Sequence, residues 1–295
     1  MTRVAAVDLG TNSTRLLVAD VINGRVDEVV RRSVVTRLGE GVDARRRLLP
    51  QPIARVRNVL VDFRRELEAL SAEHTLAVAT SAVRDAENGE AFLGEVEWSY
   101  GFSTRLLSGD EEAELTRRGV GATAPGTLLL DVGGGSTELS TSGFRTSLDL
   151  GSVRLTERFL HGDPPTEGEL AAASAALAEL LPELDVDDVV GVAGTVGQLA
   201  ALAERTTLAL DDVERLTAEL AALPVEQRRQ LPRLDPNRAP VIVAGALIVR
   251  DVLRRYGLDR IEFSVRDLLD GAALEAAALP AVAEAAAPPG AYTCC

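Results

Sequence analysis

Two short segments of the chain combine a carboxylate with glycine and hydroxyl side chains in the same order. The first is DLGTNSTRLL, beginning at Asp8, and the second is DVGGGSTELS, beginning at Asp131. A short apolar run precedes each segment and predicts a strand that delivers the aspartate into a tight turn. Such a turn exposes backbone N–H groups beside a carboxylate, and together they can hold phosphate oxygens directly and a cation through the aspartate.

The two segments are related by a constant offset of 123 residues (131 − 8). A single copy is more typical of an ordinary glycine turn with a capping side chain. Two copies at equivalent strand ends instead indicate a duplicated phosphate-gripping hairpin, with the two copies facing each other. Five pairs are identical at this offset: Asp8 and Asp131, Gly10 and Gly133, Ser13 and Ser136, Thr14 and Thr137, and Leu16 and Leu139. The candidate phosphate-binding residues are Gly10, Thr11, Asn12, Ser13, Gly133, Gly134, Gly135 and Ser136.

An acidic segment, LSGDEEAEL, lies directly before the second hairpin and begins a helical pattern. Acids in a first helical turn commonly offset the helix macrodipole, which is the ordinary interpretation of this segment. One carboxylate aimed into a cleft could instead orient and deprotonate a water, as phosphoanhydride hydrolysis requires. The acids concerned are Asp110, Glu111, Glu112 and Glu114.

Three further positions could contact an anion. Arg84 follows a predicted strand, where its guanidinium could bind phosphate oxygens or simply pair with a neighbouring acid. Gly194 and Thr195 lie at a predicted helix N-terminus, which favours either anion binding or a plain threonine cap. Gly151 and Ser152 form another turn whose amides are expected to face the cleft.

The composition limits the classes of partner. The chain has 295 residues and a net charge of −14, and all of its fixed positive side chains are arginines. This balance argues against nucleic-acid binding, and an anionic substrate must therefore meet a local positive patch. No apolar run is long enough for a membrane span, and we expect a soluble, cytoplasmic protein. The cysteines, Cys294 and Cys295, are adjacent and terminal, which favours a frayed tail over a lipidation signal.

The order of predicted elements divides the chain into two similar α/β halves. Each half begins with a strand meander and continues with alternating helices and strands. A chain of this length with 46% hydrophobic residues can bury the cores of two domains. We expect domains at residues 1–122 and 123–280, followed by a disordered tail at 281–295 that is rich in alanine and proline.

An ordered set of motifs resembles the exopolyphosphatase/guanosine pentaphosphate phosphohydrolase family over about Val4 to Leu274. The resemblance implies two actin-like domains (RNase H-like, of the actin, sugar-kinase and heat-shock-chaperone superfamily) that face an interdomain cleft. It also implies Mg²⁺-dependent release of terminal phosphate from inorganic polyphosphate. The motifs are DLGTNS, TSAVRDAENG, LSGDEEAEL, DVGGGSTEL, DLGSVRLTERF, GVAGTVGQLAAL, and IVAGALIV followed by FSVRDLLDGAAL.

The same resemblance implies roles for individual residues. Glu112 would be the catalytic base that activates water, and Arg84 would bind substrate. The carboxylates of Asp8, Asp131 and Glu138 would surround the metal and the phosphate, with Asp131 and Glu138 also catalytic. Long members of the family carry an additional helical C-terminal region, so we expect this chain to prefer short polyphosphates.

Other functions remain open at this level. Guanosine pentaphosphate hydrolysis would use the same phosphate end together with a nucleoside pocket. A non-catalytic phosphate or nucleotide sensor, or phosphoryl transfer to a small acceptor, would use similar loops. The pattern defines no oligomeric state, and a homodimer remains open.

Overall fold

A computed structural model describes residues 1–280 of the chain. The first part of the chain forms a five-stranded sheet with helices on both faces. In chain order its elements are β1 (Thr2–Leu9), β2 (Ser13–Ile22), β3 (Arg25–Val35), α1 (Val42–Arg45), α2 (Pro50–Ala69), β4 (His74–Ala79), α3 (Ser81–Arg84), α4 (Gly89–Tyr100), β5 (Ser103–Leu106) and α5 (Gly109–Val120).

The second part forms a six-stranded sheet and the remaining helices. The elements are β6 (Thr127–Val132), β7 (Thr137–Ser140), β8 (Arg145–Leu148), α6 (Ser152–Phe159), α7 (Glu167–Leu180), β9 (Asp188–Val192), α8 (Ala193–Ala203), β10 (Thr207–Ala209), α9 (Leu210–Ala222), α10 (Val225–Arg228), α11 (Ile242–Tyr256), β11 (Arg260–Phe263) and α12 (Leu268–Ala276). No helix within residues 1–280 combines the length and apolar character needed to cross a bilayer.

The two sheets share one plan. The first has the order β3-β2-β1-β4-β5, and the second has β8-β7-β6-β9-β11 with β10 added at the edge. In both, the first three strands are antiparallel and the next two run parallel to the central strand. The prediction of two α/β halves built on one plan is therefore confirmed.

Each antiparallel hairpin begins at a fully buried central strand. Residues 4–9 of β1 and all residues of β6 are buried and mostly apolar, which is typical of strands covered by helices on each side. The aspartates at the ends of these strands are consequently carried by the most rigid part of each sheet. The sheets thus hold the two aspartate turns in fixed positions.

The last described helix, α12, follows the second sheet in sequence but packs on the first. Its buried residues Leu268, Leu269 and Ala272 join a cluster with Val4 and Leu115 from β1 and α5. This packing buries an apolar helix face that would otherwise be exposed to water. The division of the chain at residue 122 stays a prediction, because α12 interleaves with the first half.

Helices α5 and α12 approach each other backbone to backbone at two glycines. A Cβ added at Gly119 would lie 2.0 Å from the carbonyl oxygen of Asp267. One added at Gly271 would lie 2.0 Å from the carbonyl oxygen of Leu115. Only glycine permits this approach, which fixes the position of α5 relative to the first sheet.

The close approach predicts opposite effects for the same substitution at two helical glycines. Gly119→Ala should lower the free energy of unfolding by about 2 kcal/mol, because the added methyl overpacks a backbone contact. Gly94→Ala in α4 has open space around its Cβ. It should raise the free energy of unfolding by about 0.5–1 kcal/mol through helix propensity. Urea denaturation measures both, and effects of the same sign would contradict the packing described.

Candidate active site

The two aspartate turns face each other and touch. A Cβ added at Gly135 in the second turn would lie 2.8 Å from the Thr11 hydroxyl oxygen of the first, and one added at Gly134 would lie 3.0 Å from the Asn12 amide nitrogen. The Thr11 hydroxyl is itself held 2.7 Å from the hydroxyl of Ser81, at the start of α3. The glycines of the second turn are therefore required by its contact with the first. The facing arrangement predicted from the sequence is what the structure shows.

The duplication extends to the backbone of the turns. The amide of Gly10 donates to the carbonyl of Ser13 at 3.1 Å, and the amide of Gly133 donates to the carbonyl of Ser136 at 3.0 Å. These bonds close the two turns in the same way. The amides of Thr11, Asn12, Gly134 and Gly135 donate to no backbone carbonyl of the described residues, so they are available to an anion.

A cavity of about 60 Å³ lies between the two turns. It contains most of the predicted residues of the two hairpins together with Glu112 and Gly194. It also contains Arg15 and Arg238, which the sequence analysis did not single out. The lining residues are Asp8, Gly10, Thr11, Asn12, Ser13, Arg15, Thr80, Ser81, Glu112, Gly134, Ser136, Ala193, Gly194 and Arg238.

The equivalent aspartates have neighbours of opposite charge on the adjacent strand. Asp8 is paired in register with Arg15, whose Nε donates to Asp8 Oδ2 at 2.8 Å. Asp131 is paired in register with Glu138, which occupies the position equivalent to Arg15 in the repeat. In-register residues of an antiparallel pair lie side by side on one face. The first hairpin therefore neutralises its aspartate, whereas the second places two carboxylates together.

Burial of these carboxylates raises their pKa values. Desolvation raises the pKa of Asp131 well above its ordinary range, and the charge of Glu138 raises it further. Burial also raises the pKa of Glu138. Desolvation raises the pKa of Asp8 as well, although Arg15 opposes this shift. The site therefore favours a proton or a cation near Asp131 and Glu138.

The structure distinguishes the acids at the start of α5. The Glu111 side chain accepts from the Ser108 amide at 2.8 Å in a capping box, and Glu114 pairs with Arg145 at the surface. Glu112 is buried and lines the cavity. Desolvation raises the pKa of Glu112 well above its ordinary range, and Glu138 and Asp131 add to the shift. One carboxylate of this segment thus faces the cleft, while its neighbours stabilise the helix.

Arg84 contacts Glu112 rather than its neighbours in sequence. Its Nη1 lies 3.4 Å from Glu112 Oε2 and donates to the carbonyl of Leu107 at 2.7 Å. The ordinary interpretation, a pair with Asp85 or Glu87, is not what the structure shows. Arg84 therefore orients the buried glutamate at the edge of the cleft.

Arg238 brings an additional positive charge into the cleft. Its Nη2 donates to the Ser13 hydroxyl at 3.2 Å, and its guanidinium fills the space that a side chain at Gly194 would occupy. Burial lowers the pKa of Arg238, and the charge of Arg15 lowers it further. No carboxylate within residues 1–280 forms an ion pair with it. No local sequence pattern marks this residue, because its partner Ser13 lies 225 positions away.

Three predicted residues support the cleft from behind instead of facing it. The Ser152 amide donates to the Gly133 carbonyl at 2.9 Å, so it is not available to a phosphate. Gly151 packs directly against the backbone of Gly134. The Thr195 hydroxyl donates to the Val132 carbonyl at 2.8 Å and does not cap its helix. The expectation that Ser152 and Thr195 face the anion is corrected, since backbone carbonyls accept hydrogen bonds from them, and Gly151 packs on the second turn.

Ion pairs join the two halves beside the cleft. Arg154 of α6 contacts Asp85 and lies 3.4 Å from Asp43, both in the first half. Arg158 binds Asp43 at 2.6 Å, and Glu157 accepts from the Gly41 amide at 3.1 Å. Carboxylates of the first half therefore engage the guanidinium of Arg154. These contacts hold the hairpins at their observed separation.

The carboxylates of the site do not by themselves form a complete metal-binding cage. Within the described residues no group of three or more carboxylate, histidine or cysteine side chains converges on one point. Two buried carboxylate oxygens, Glu138 Oε2 and Asp8 Oδ1, lack a hydrogen-bond partner. Magnesium commonly binds through one or two carboxylates and completes its shell with water and substrate phosphates. The donor set therefore fits a cation that binds together with a phosphate chain.

The buried carboxylates predict that the stability of the metal-free protein falls as pH rises. Their pKa values are raised in the folded state. At pH values above the ordinary pKa of a carboxylate, the folded protein therefore binds more protons than the unfolded chain does. The free energy of unfolding therefore decreases through that range. Glu138→Gln should raise it at pH 7.5, because the substitution removes a buried negative charge that desolvation disfavours. Urea denaturation at pH 5 and pH 7.5 with a chelator measures this.

A matched control is Glu179→Gln, which removes an exposed glutamate from α7. It should leave the pH dependence of unfolding unchanged. The electrostatic description would be contradicted if Glu138→Gln lost stability at pH 7.5 while the Glu179 variant behaved as the wild type.

Comparison with known proteins agrees with this geometry. The model of the Ppx/GppA phosphatase family matches residues 17–278. Exopolyphosphatase 2 of Mycobacterium tuberculosis is 38% identical, over 94% of this chain and 99% of its own length. The guanosine-5'-triphosphate,3'-diphosphate pyrophosphatase of Vibrio vulnificus is 30% identical, over 92% of this chain and 58% of its own length.

A solved structure shows the same similarity in three dimensions. An exopolyphosphatase from Cytophaga hutchinsonii superposes with a TM-score of 0.83 at 26% identity, covering 92% of this chain and 96% of that one. The family predicted from the motifs is therefore confirmed. The chain belongs to the Ppx/GppA phosphatase family.

Proposed function

We propose that the protein is an exopolyphosphatase that hydrolyses the terminal phosphoanhydride bond of inorganic polyphosphate. The observation that carries the proposal is the position of Glu112, which is buried in the cavity between the two phosphate-binding turns. The site can bind the end of a phosphate chain and place a base beside it. The similarity to an exopolyphosphatase over 94% of the chain supports the same conclusion.

The amides of the two turns and Arg238 are proposed to hold the terminal phosphate. Backbone N–H groups and guanidinium donors stabilise the charge of a transferring phosphoryl group when they are preorganised. Arg238 suits this role because it is half-buried and forms no ion pair with a carboxylate of the described residues. A bound phosphate would supply the missing negative charge and would restore the usual pKa of this arginine.

Asp131 and Glu138 are proposed to hold a divalent cation, with Mg²⁺ as the metal. The two carboxylates lie side by side, and Glu138 Oε2 has no hydrogen-bond partner. Asp8 contributes one free oxygen, Oδ1, because Arg15 engages the other. A bound cation would neutralise charge on the phosphate chain and on the leaving oxygen.

Glu112 is proposed to orient the attacking water and accept its proton. The carboxylate is hydrogen-bonded to Arg84 on one side and faces the cavity on the other. Its raised pKa brings its basicity nearer to the working pH of a general base. The water oxygen then forms a bond to the terminal phosphorus as the anhydride bond breaks. The products are orthophosphate and a polyphosphate shorter by one unit.

Guanosine pentaphosphate hydrolysis is the second candidate. The similarity to the Vibrio vulnificus enzyme favours it, since that protein is 30% identical over nearly all of this chain. Both substrates would present a terminal phosphate to the same turns. The experiment that separates them is phosphate release from polyphosphates of increasing length, with guanosine pentaphosphate at equal concentration. We expect faster release from polyphosphate, and exclusive release from the nucleotide would overturn the proposal.

Phosphate release also separates the remaining alternatives. A sensor would bind tripolyphosphate with Mg²⁺ and release no phosphate. A kinase would transfer the phosphate to an acceptor and give a phosphorylated product. The presence of a buried glutamate able to take a proton from water favours hydrolysis over both.

Glu112→Gln should lower kcat for phosphate release by about 10²–10⁴-fold, because it removes the base that accepts the proton of water. The Kd for polyphosphate, measured by isothermal titration calorimetry, should stay within a few-fold of wild type. Glu114→Gln on the same helix is the control and should retain wild-type kcat. Near wild-type release by the Glu112 variant would show that another group is the base.

The pH dependence of kcat/KM should reflect the raised pKa of Glu112. The base acts when deprotonated, so the rate should fall as pH falls through a value above about 4.3, the ordinary pKa of glutamate. Glu112→Gln should remove this acid limb from the residual activity. If the acid limb persisted unchanged in the variant, it would arise from the titration of another carboxylate.

A further inference from the structure

A chain of ion pairs connects the first hairpin to the N-terminus of α12. Arg15 donates from Nε to Asp8 Oδ2 at 2.8 Å and from Nη1 to Asp267. Asp267 lies 252 positions away in sequence, in the segment that returns from the second sheet to the first. Its side chain is almost completely buried. One arginine of the cleft is therefore held by two carboxylates from distant parts of the chain.

Asp267 is itself fixed by several contacts. It caps α12 by accepting from the Leu269 amide at 2.9 Å, and Arg31 lies 3.4 Å from the same oxygen. Its own amide donates to Asp270 Oδ2 at 3.0 Å. Its carbonyl packs against Gly119 of α5. An aspartate that only capped a helix would need none of the arginine contacts, which indicates a second role.

The position of Arg15 depends on this fixed aspartate. An arginine side chain has several rotatable bonds, and one partner alone leaves much of that freedom. Binding at both Nε and Nη1 fixes the plane of the guanidinium. Burial disfavours the charge of Arg15, but attraction by Asp267 and Asp8 outweighs it and raises its pKa. The arginine thus stays charged and oriented in a site with little water.

We propose that Asp267 is a positioning residue of the active site, which fixes Arg15 against Asp8 and thereby aligns the first phosphate-binding turn. The effect of Asp267 on the reaction rate rests on the proposed function, whereas its effect on the orientation of Arg15 does not. With Arg15 held on Oδ2, Asp8 keeps Oδ1 free at the edge of the cleft. Release of Arg15 would let the aspartate rotate and would change the charge presented to the phosphate.

The test uses Asp267→Asn, since asparagine also caps helices and retains an oxygen for the Leu269 amide. The structural readout is the Nε–H resonance of Arg15 in ¹H–¹⁵N NMR spectra, assigned by its loss in Arg15→Lys. We expect its exchange with water to be slow in wild type and at least about tenfold faster in the variant, because one of its two anchors is lost. Unchanged exchange would overturn the proposal.

The kinetic readout is a double-mutant cycle between positions 267 and 15. Asp267→Asn alone should lower kcat about tenfold, because small misplacements of a positioning group are costly, with KM within about twofold. In an Arg15→Gln background the same substitution should have no further effect, since it acts through Arg15. An equal loss in both backgrounds would assign Asp267 a purely structural role and would overturn the proposal.

The matched control is Asp270→Asn. Asp270 shares Arg31 and the first turn of α12 with Asp267, but it does not contact Arg15. It should leave the Arg15 resonance and kcat unchanged, and an equal loss in this variant would contradict the proposal. Asp267→Ser, which also caps helices, serves as a second variant if the asparagine form does not fold.

The two proposals fail in different ways. A wild-type protein that releases no phosphate from polyphosphate overturns the proposed function, while the exchange of the Arg15 Nε–H still tests Asp267. Phosphate release with an Arg15 resonance that is unaffected by Asp267→Asn overturns only the positioning role.

Discussion

The burial of three carboxylates at the contact between two turns is the constraint on which the site depends. Burial raises the pKa values of Glu112, Asp131 and Glu138, and the charge of Glu138 raises those of the other two further. Such a cluster costs free energy unless protons, cations or ordered donors compensate it. A phosphate chain would add further negative charge. The arginines and a cation that accompanies the substrate therefore become necessary parts of the site, because the buried carboxylates favour a cation beside them.

The duplicated hairpin explains how one fold provides two different surfaces for the phosphate. Both copies close their turns with the same backbone hydrogen bond. They differ in charge at the position beside the aspartate on the adjacent strand, which is Arg15 in the first copy and Glu138 in the second. The first turn is thereby neutral and rigid, and the second is negative and suited to a cation. The asymmetry arises from one side chain placed on the same face of two similar strands.

The sequence predicted the features that are local. The identities between the hairpins predicted the facing turns, and the helical spacing and acidic start predicted α5. The remaining features depend on contacts over long separations: Arg238 meets Ser13 across 225 positions, and Asp267 meets Arg15 across 252. Ser152 was assigned to the phosphate because its turn resembles an anion site, but a backbone carbonyl takes its amide. A single sequence does not show whether a phosphate or a backbone carbonyl lies closer to such an amide.

The most direct measurement is a crystal structure of the protein with Mg²⁺ and a methylene-bridged tripolyphosphate. The account predicts that the terminal phosphate contacts amides of both turns, that the cation lies on Asp131 and Glu138, and that a water bound to Glu112 lies about 3 Å from the terminal phosphorus. A phosphate chain bound by one turn alone, or a Glu112 carboxylate directed away from it, would contradict the account.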